Sequence, residues 1–112
     1  MVCGHSNCGG CAALHQPETF FKDIPHVKKW LELSQKVKDK IDQMGIDSDY
    51  GKREWLTEQL NIVEQLKHLL SYPFIQQKYL DKKLHLFGWH YIIETGEVFN
   101  YNFEKATFEL IE

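Results

Sequence analysis

The hydrophobic period of this chain changes once, between residues 71 and 84, and that change restricts the folds open to it more than any other feature. From about Ile24 to Met44, apolar residues recur at intervals of three, four, six and seven: Val27, Trp30, Leu31, Val37, Ile41 and Met44. Lysines and acids fill the opposite side, which predicts one long amphipathic helix. Pro25 suits its first turn and Gly45 its C-terminal stop. A polar loop over Ile46–Tyr50 follows, with Ser48 or Asp49 as N-cap of a second long helix. That helix runs to about Ser71, burying Trp55, Gln59, Ile62, Val63, Leu66, Leu69 and Leu70. Tyr72-Pro73 ends it, and a short helix over Phe74–Tyr79 is expected.

Beyond the change, Leu84, Leu86, Gly88, His90 and Ile92 alternate with His85, Phe87, Trp89, Tyr91 and Ile93. Both sets are largely apolar, which predicts a strand covered on both faces. Glu94-Thr95-Gly96-Glu97 reads as a tight turn, with the glycine supplying a positive φ. Val98–Phe103 then returns as the partner strand, and Ala106–Ile111 is a candidate third strand near the edge. At the other end, Met1-Val2-Cys3 reads as the end of a strand. Gly4 and Gly9-Gly10 are expected as turns, and Cys11–Leu14 as a short helix broken by Pro17. The order is strand stub, helices, antiparallel hairpin, which is mixed α/β. Two long amphipathic helices have little sheet here to pack on, so residues 1–112 read as one domain in an incomplete portion.

Composition narrows the function classes. The chain has 112 residues, 43% hydrophobic and 26% charged, an ordinary globular balance rather than a disordered one. Its formal net charge of -3 gives no basic footprint for nucleic acid. The lysines of Lys36–Lys40 are interleaved with Asp39 and Asp42, as on a solvated helix face. No run of about 18 apolar residues occurs, so no membrane span is expected. No basic segment followed by an apolar one marks a secretory signal.

All three cysteines fall in Cys3-Gly4-His5-Ser6-Asn7-Cys8-Gly9-Gly10-Cys11. Clustering with a histidine, without a signal, favours a metal or redox site in a reducing compartment, the cytoplasm. Thiolate and neutral imidazole are preferred ligands of zinc. His5 and Cys8 stand three apart on a glycine-flanked loop, and glycine lets backbone approach an ion or small anion. A helix starting just beyond would turn free N–H groups toward the site. Other readings fit the same residues. Cys3 and Cys11 are acceptable as buried small apolar residues. Cys8-Gly9-Gly10-Cys11 is acceptable as a thiol redox pair. All four donors together could form a small zinc knuckle, although nine residues give little freedom to wrap a tetrahedral ion.

The string from Val2 to Gly10 resembles the second zinc motif of the β-carbonic anhydrases, a strand ending in GHxxCGG. Asn61-Ile62-Val63-Glu64-Gln65-Leu66, with Leu69 and Pro73, is similar to that family's NVxxQLxxLxxxP helix. Leu84 to Val98 resembles its LxLHGWxYDIxTGxV hairpin, with Phe87 for the usual His and Ile92 for the usual Asp. The resemblance implies the C-terminal part of the β-carbonic anhydrase fold, with His5 and Cys8 as Zn2+ ligands and Cys3 and Cys11 in packing roles. It implies reversible hydration of carbon dioxide to bicarbonate, with zinc-bound hydroxide as nucleophile. The family's third ligand and its Asp/Arg dyad lie in a CxDxR motif, which this sequence lacks. The chain alone is therefore expected to be inactive or nearly so, with Met1 an internal methionine of a longer protein, the chain a fragment, or the gene a truncated paralogue, and to associate as a homo-oligomer through uncovered apolar surface. A non-catalytic zinc-binding or thiol redox module using the Cys3–Cys11 cluster is the alternative. His15, His26, His68, His85 and His90 read as surface or packing residues, and Trp30, Trp55 and Trp89 as core or interface anchors.

Overall fold

A computed structural model describes residues 1–46 and 48–112. Asp47, within the expected 46–50 loop, lies outside the described residues. The chain opens with β1 (Val2–His5) and the one-and-a-half-turn helix α1 (Gly9–Ala13). Then come α2 (Pro25–Leu31), α3 (Gln35–Met44), α4 (Tyr50–Leu70) and α5 (Pro73–Leu80). Strands β2 (Gly88–Tyr91), β3 (Val98–Asn102) and β4 (Thr107–Leu110) close the chain. The four strands form one mixed sheet in the order β1-β2-β3-β4. β1 runs parallel to β2, pairing Val2 with Gly88 and Gly4 with His90. The later pairs are antiparallel. This is the α/β class expected, with a parallel pair continued by a hairpin.

The expected helix over residues 24–44 is instead two helices with a 3-10 turn, Glu32–Ser34, between them. One contact marks the break. Ser34, buried at the break, donates its hydroxyl to Asn61 Oδ1 of α4 at 2.9 Å. Val37 and Ile41 enter the core, whereas Val27, Trp30 and Met44 remain exposed. Gly45 ends α3 in the left-handed conformation, as expected (φ 65°). Asp49 caps α4, its carboxylate accepting from Lys52 N at 3.0 Å.

The strand expected over residues 84–93 is also shorter. The inward set holds: Gly88, His90 and Ile92 are buried. The opposite set does not, since Phe87, Tyr91 and Ile93 are exposed and Trp89 is half-buried, so the face toward α4 is the better covered one. The turn at Glu94–Glu97 forms as read, with Gly96 at φ 77° and its N–H donating to Ile92 O at 2.8 Å. Gly4 and Gly9-Gly10 are corrections to the turn reading: the first lies in β1, and the others begin α1.

Gly4 is needed for closeness rather than for a turn. A Cβ built there would stand 2.9 Å from Ile62 Cδ1. At Gly88 it would stand 2.8 Å from Leu66 Cδ1 and 3.0 Å from Ile62 Cγ2. Ile62 and Leu66, at 1% and 2% exposure, therefore rest directly on strand backbone. Burial of each contributes about 1.5–3 kcal/mol. Gly88→Ala should lower the free energy of unfolding by about 1–3 kcal/mol through overpacking, measured by urea denaturation. Leu66→Val in the same background should recover part of that loss, because it removes the δ-carbon the new methyl meets.

Candidate metal centre

His5 ends β1, Cys8 precedes α1, and Ser6-Asn7 make the turn between them. Asn7 takes a left-handed conformation (φ 52°), which its short polar side chain tolerates. Four bonds pin this turn to the hairpin. Ser6 N–H donates to Tyr91 O at 2.9 Å. Ser6 Oγ accepts from Ile93 N at 2.9 Å and donates to Glu94 Oε2 at 2.8 Å. Asn7 Nδ2 donates to Glu94 Oε1. The Ser6 hydroxyl, then Glu94's own amide and Asn7, hold the Glu94 carboxyl below its ordinary pKa. Across the loop, Cys8 N–H donates to Glu58 Oε2 of α4 at 3.2 Å.

His5 is exposed and Cys8 half-buried. His5 Nδ1 lies 2.8 Å from Ser6 O. A carbonyl only accepts, so Nδ1 carries the proton and Nε2 keeps its lone pair, the arrangement of a metal-ligating histidine. Imidazole nitrogen and thiolate sulfur are the donor types zinc prefers, so the pair fits that ion in kind. It falls short in number: among the described residues, no three His, Cys, Asp or Glu gather where they could hold an ion.

Cys11 is buried, and burial pushes its thiol pKa well up, with Cys8 and Glu58 adding to the rise. A thiol held neutral is a poor nucleophile. Cys3 is a correction, since it is exposed rather than packed. α1 begins directly after Cys8, as expected, and has five residues. Among the histidines, His15 Nε2 pairs with Thr57 Oγ1 at 2.9 Å, and His68 lies beside Glu64 and Gln65. His90 is fully buried, with Nε2 2.9 Å from Glu58 Oε1. Trp55 is a correction to the buried stripe, since it is 37% exposed, and it meets the His90 ring edge-on at 4.8 Å; Trp30 is 74% exposed and lies outside the core.

The sequence reading passed over Glu58, Glu94 and Ser6. Glu58 carried a usable signal: it lies three residues after Trp55 and four before Ile62, an acid on the buried stripe. Glu94 and Ser6 had none, because each matters only through a partner far away in the chain.

The family profile described as carbonic anhydrase matches residues 1–98. A carbonic anhydrase of Helicobacter pylori strain J99 is 44% identical over 115 aligned positions, covering all of this chain and 52% of the relative. One from Synechococcus elongatus is 32% identical over 88% of this chain and 36% of the relative. The solved structure of the β-carbonic anhydrase CcaA superposes with a TM-score of 0.90 at 29% identity, over 97% of this chain and 53% of that one. The chain belongs to the β-carbonic anhydrase family. It spans about half the length of its Helicobacter pylori relatives.

The raised Cys11 pKa sets the sign of a pH effect in the metal-free protein. A group whose pKa is higher folded than unfolded stabilises fully below the unfolded value and loses that contribution as pH rises. Stability should therefore fall above about pH 9, the ordinary value for a thiol. Urea denaturation from pH 8 to 10 should show a smaller fall in Cys11→Val than in the parent chain.

Proposed function

We propose that this chain carries part of a zinc-dependent carbonic anhydrase site, with His5 and Cys8 as two of its protein ligands and carbon dioxide and bicarbonate as substrate and product. The observation that carries the reading is the His5 ring, whose Nδ1–H is taken up by the Ser6 carbonyl so that Nε2 is left to ligate. Zinc held there supplies the Lewis acidity that makes water a nucleophile near neutral pH. The chain's own part is to orient the imidazole through Ser6, to hold the Cys8 backbone through Glu58, and to anchor the turn through Glu94.

A catalytic zinc normally takes three protein ligands, and no CxDxR string occurs in these 112 residues. The reading is thus that the 112 residues alone bind zinc weakly and turn over little carbon dioxide, a cysteine from outside them completing the site. Copies of the chain associate, because the outer edge of β1 has no strand partner among the described residues and Trp30 and Leu33 are exposed. No helix among the described residues is long and apolar enough to cross a membrane, and the free cysteines suit the cytoplasm.

Zinc content after mild purification, followed by carbon dioxide hydration with added zinc, tests the reading. Cys8→Ser and His5→Ala should abolish zinc retention, whereas Cys11→Ser should spare it. Retention that depends on Cys11 and not on His5 would favour a thiol cluster instead. Robust turnover by the 112-residue chain would overturn the claim that its ligand set is incomplete. Light scattering should show an oligomer, and a clean monomer at high concentration would remove the association.

A further inference from the structure

Glu58 is 3% exposed, on the face that α4 turns toward the sheet. Burying a carboxylate is costly unless hydrogen bonds satisfy it. Its two oxygens serve two different elements. Oε2 accepts the Cys8 N–H at 3.2 Å, and Oε1 stands 2.9 Å from His90 Nε2 on β2. The other His90 nitrogen, Nδ1, lies 3.3 Å from Gln59 Nε2, which can only donate. Nδ1 is therefore the acceptor, and Nε2 carries the proton that Glu58 receives. Trp55 and Phe108 flank the His90 ring at 4.8 and 6.3 Å, and His90 is fully buried.

The effect on Cys8 is geometric. Glu58 fixes its N–H, and Ala12 N–H fixes its carbonyl at 3.0 Å. With both peptide groups held, the Cα–Cβ direction is set and one side-chain torsion remains to place the sulfur. We propose that Glu58 is a positioning residue for Cys8, aiming its thiol at the metal position, with His90 and Gln59 locking Glu58 in turn. The assignment rests on the reading of Cys8 as a ligand, and it adds an outer layer of support drawn from α4 and β2.

Glu58→Gln tests it, because an amide has a single acceptor oxygen and cannot serve both Cys8 N–H and His90 Nε2–H. In the metal-free protein, amide hydrogen exchange is followed by NMR at Cys8 and at Ile62, which lies on the same helix as residue 58. The ratio of Cys8 to Ile62 exchange should rise about tenfold or more, the factor for losing a hydrogen bond to a charged group. His90→Gln, which still offers Glu58 a donor, should keep the ratio near that of the parent chain. A general loss of stability would speed both amides together. An unchanged ratio in Glu58→Gln therefore overturns the proposal. If that variant does not fold, Glu58→Asp, which keeps the charge but reaches only one partner, is measured with the same expectation.

Titration with Co2+, read by the near-ultraviolet absorption of a cobalt–thiolate bond, should show affinity about 10–100-fold weaker in Glu58→Gln. Equal affinities would also count against the proposal. If the parent chain gives no cobalt–thiolate band, the ligand reading of Cys8 fails, while the exchange ratio still decides the role of Glu58.

Discussion

The distance between α4 and the parallel pair β1 and β2 governs the rest of this structure. Two glycines set it. Gly4 and Gly88 present bare backbone to Ile62 and Leu66, and a methyl group at either would come within 3 Å of those side chains. Such an approach brings these side chains into direct dispersion contact with strand backbone. It also determines where the rest of α4 emerges. Glu58 lies one turn before Ile62, and at this separation its carboxylate reaches both His90 on β2 and the backbone of Cys8 beyond β1. A helix lifted by even a methyl's thickness would leave those oxygens short of one partner.

The loop that carries His5 and Cys8 is thereby held by polar groups from two directions. Glu94 and the Ile93 N–H grip Ser6 and Asn7 from the hairpin, and Glu58 grips Cys8 from α4. Apolar packing alone would leave such a turn several orientations, because it has little surface to bury. Directional bonds to carboxylates remove that freedom and fix the backbone between His5 and Cys8. The buried arm of the arrangement carries the greater cost, since the Glu58 carboxylate is tolerable only while each of its oxygens is satisfied.

Membership of the β-carbonic anhydrase family and a span of about half its Helicobacter pylori relatives agree with the shape of the sheet. β1 forms one border, with its inner side on β2 and no strand on its outer side among the described residues. His5 and Cys8 belong to that border strand and the turn after it.

Much of this was legible in the residues. The switch from helical spacing to alternation located the helices and the hairpin, Asp49 and Gly45 marked helix ends, and Gly96 marked the turn, because each rests on local backbone preference. The break at Glu32–Ser34 was not legible as such: Val27–Leu31 and Val37–Ile41 each fit a helix, and what separates them is the bond from Ser34 to Asn61, 27 residues further on. Burial of one face of β2 rather than both likewise depends on what lies opposite. By itself the sequence determined the elements, the family motifs and the His5–Cys8 pair, since period, turn chemistry and ligand type are properties of neighbouring residues. Only the tertiary structure decided that Glu58 and Glu94 converge on the loop carrying that pair. Contacts across 50 residues or more arise from how α4 and the hairpin pack on β1, and no local pattern encodes that packing.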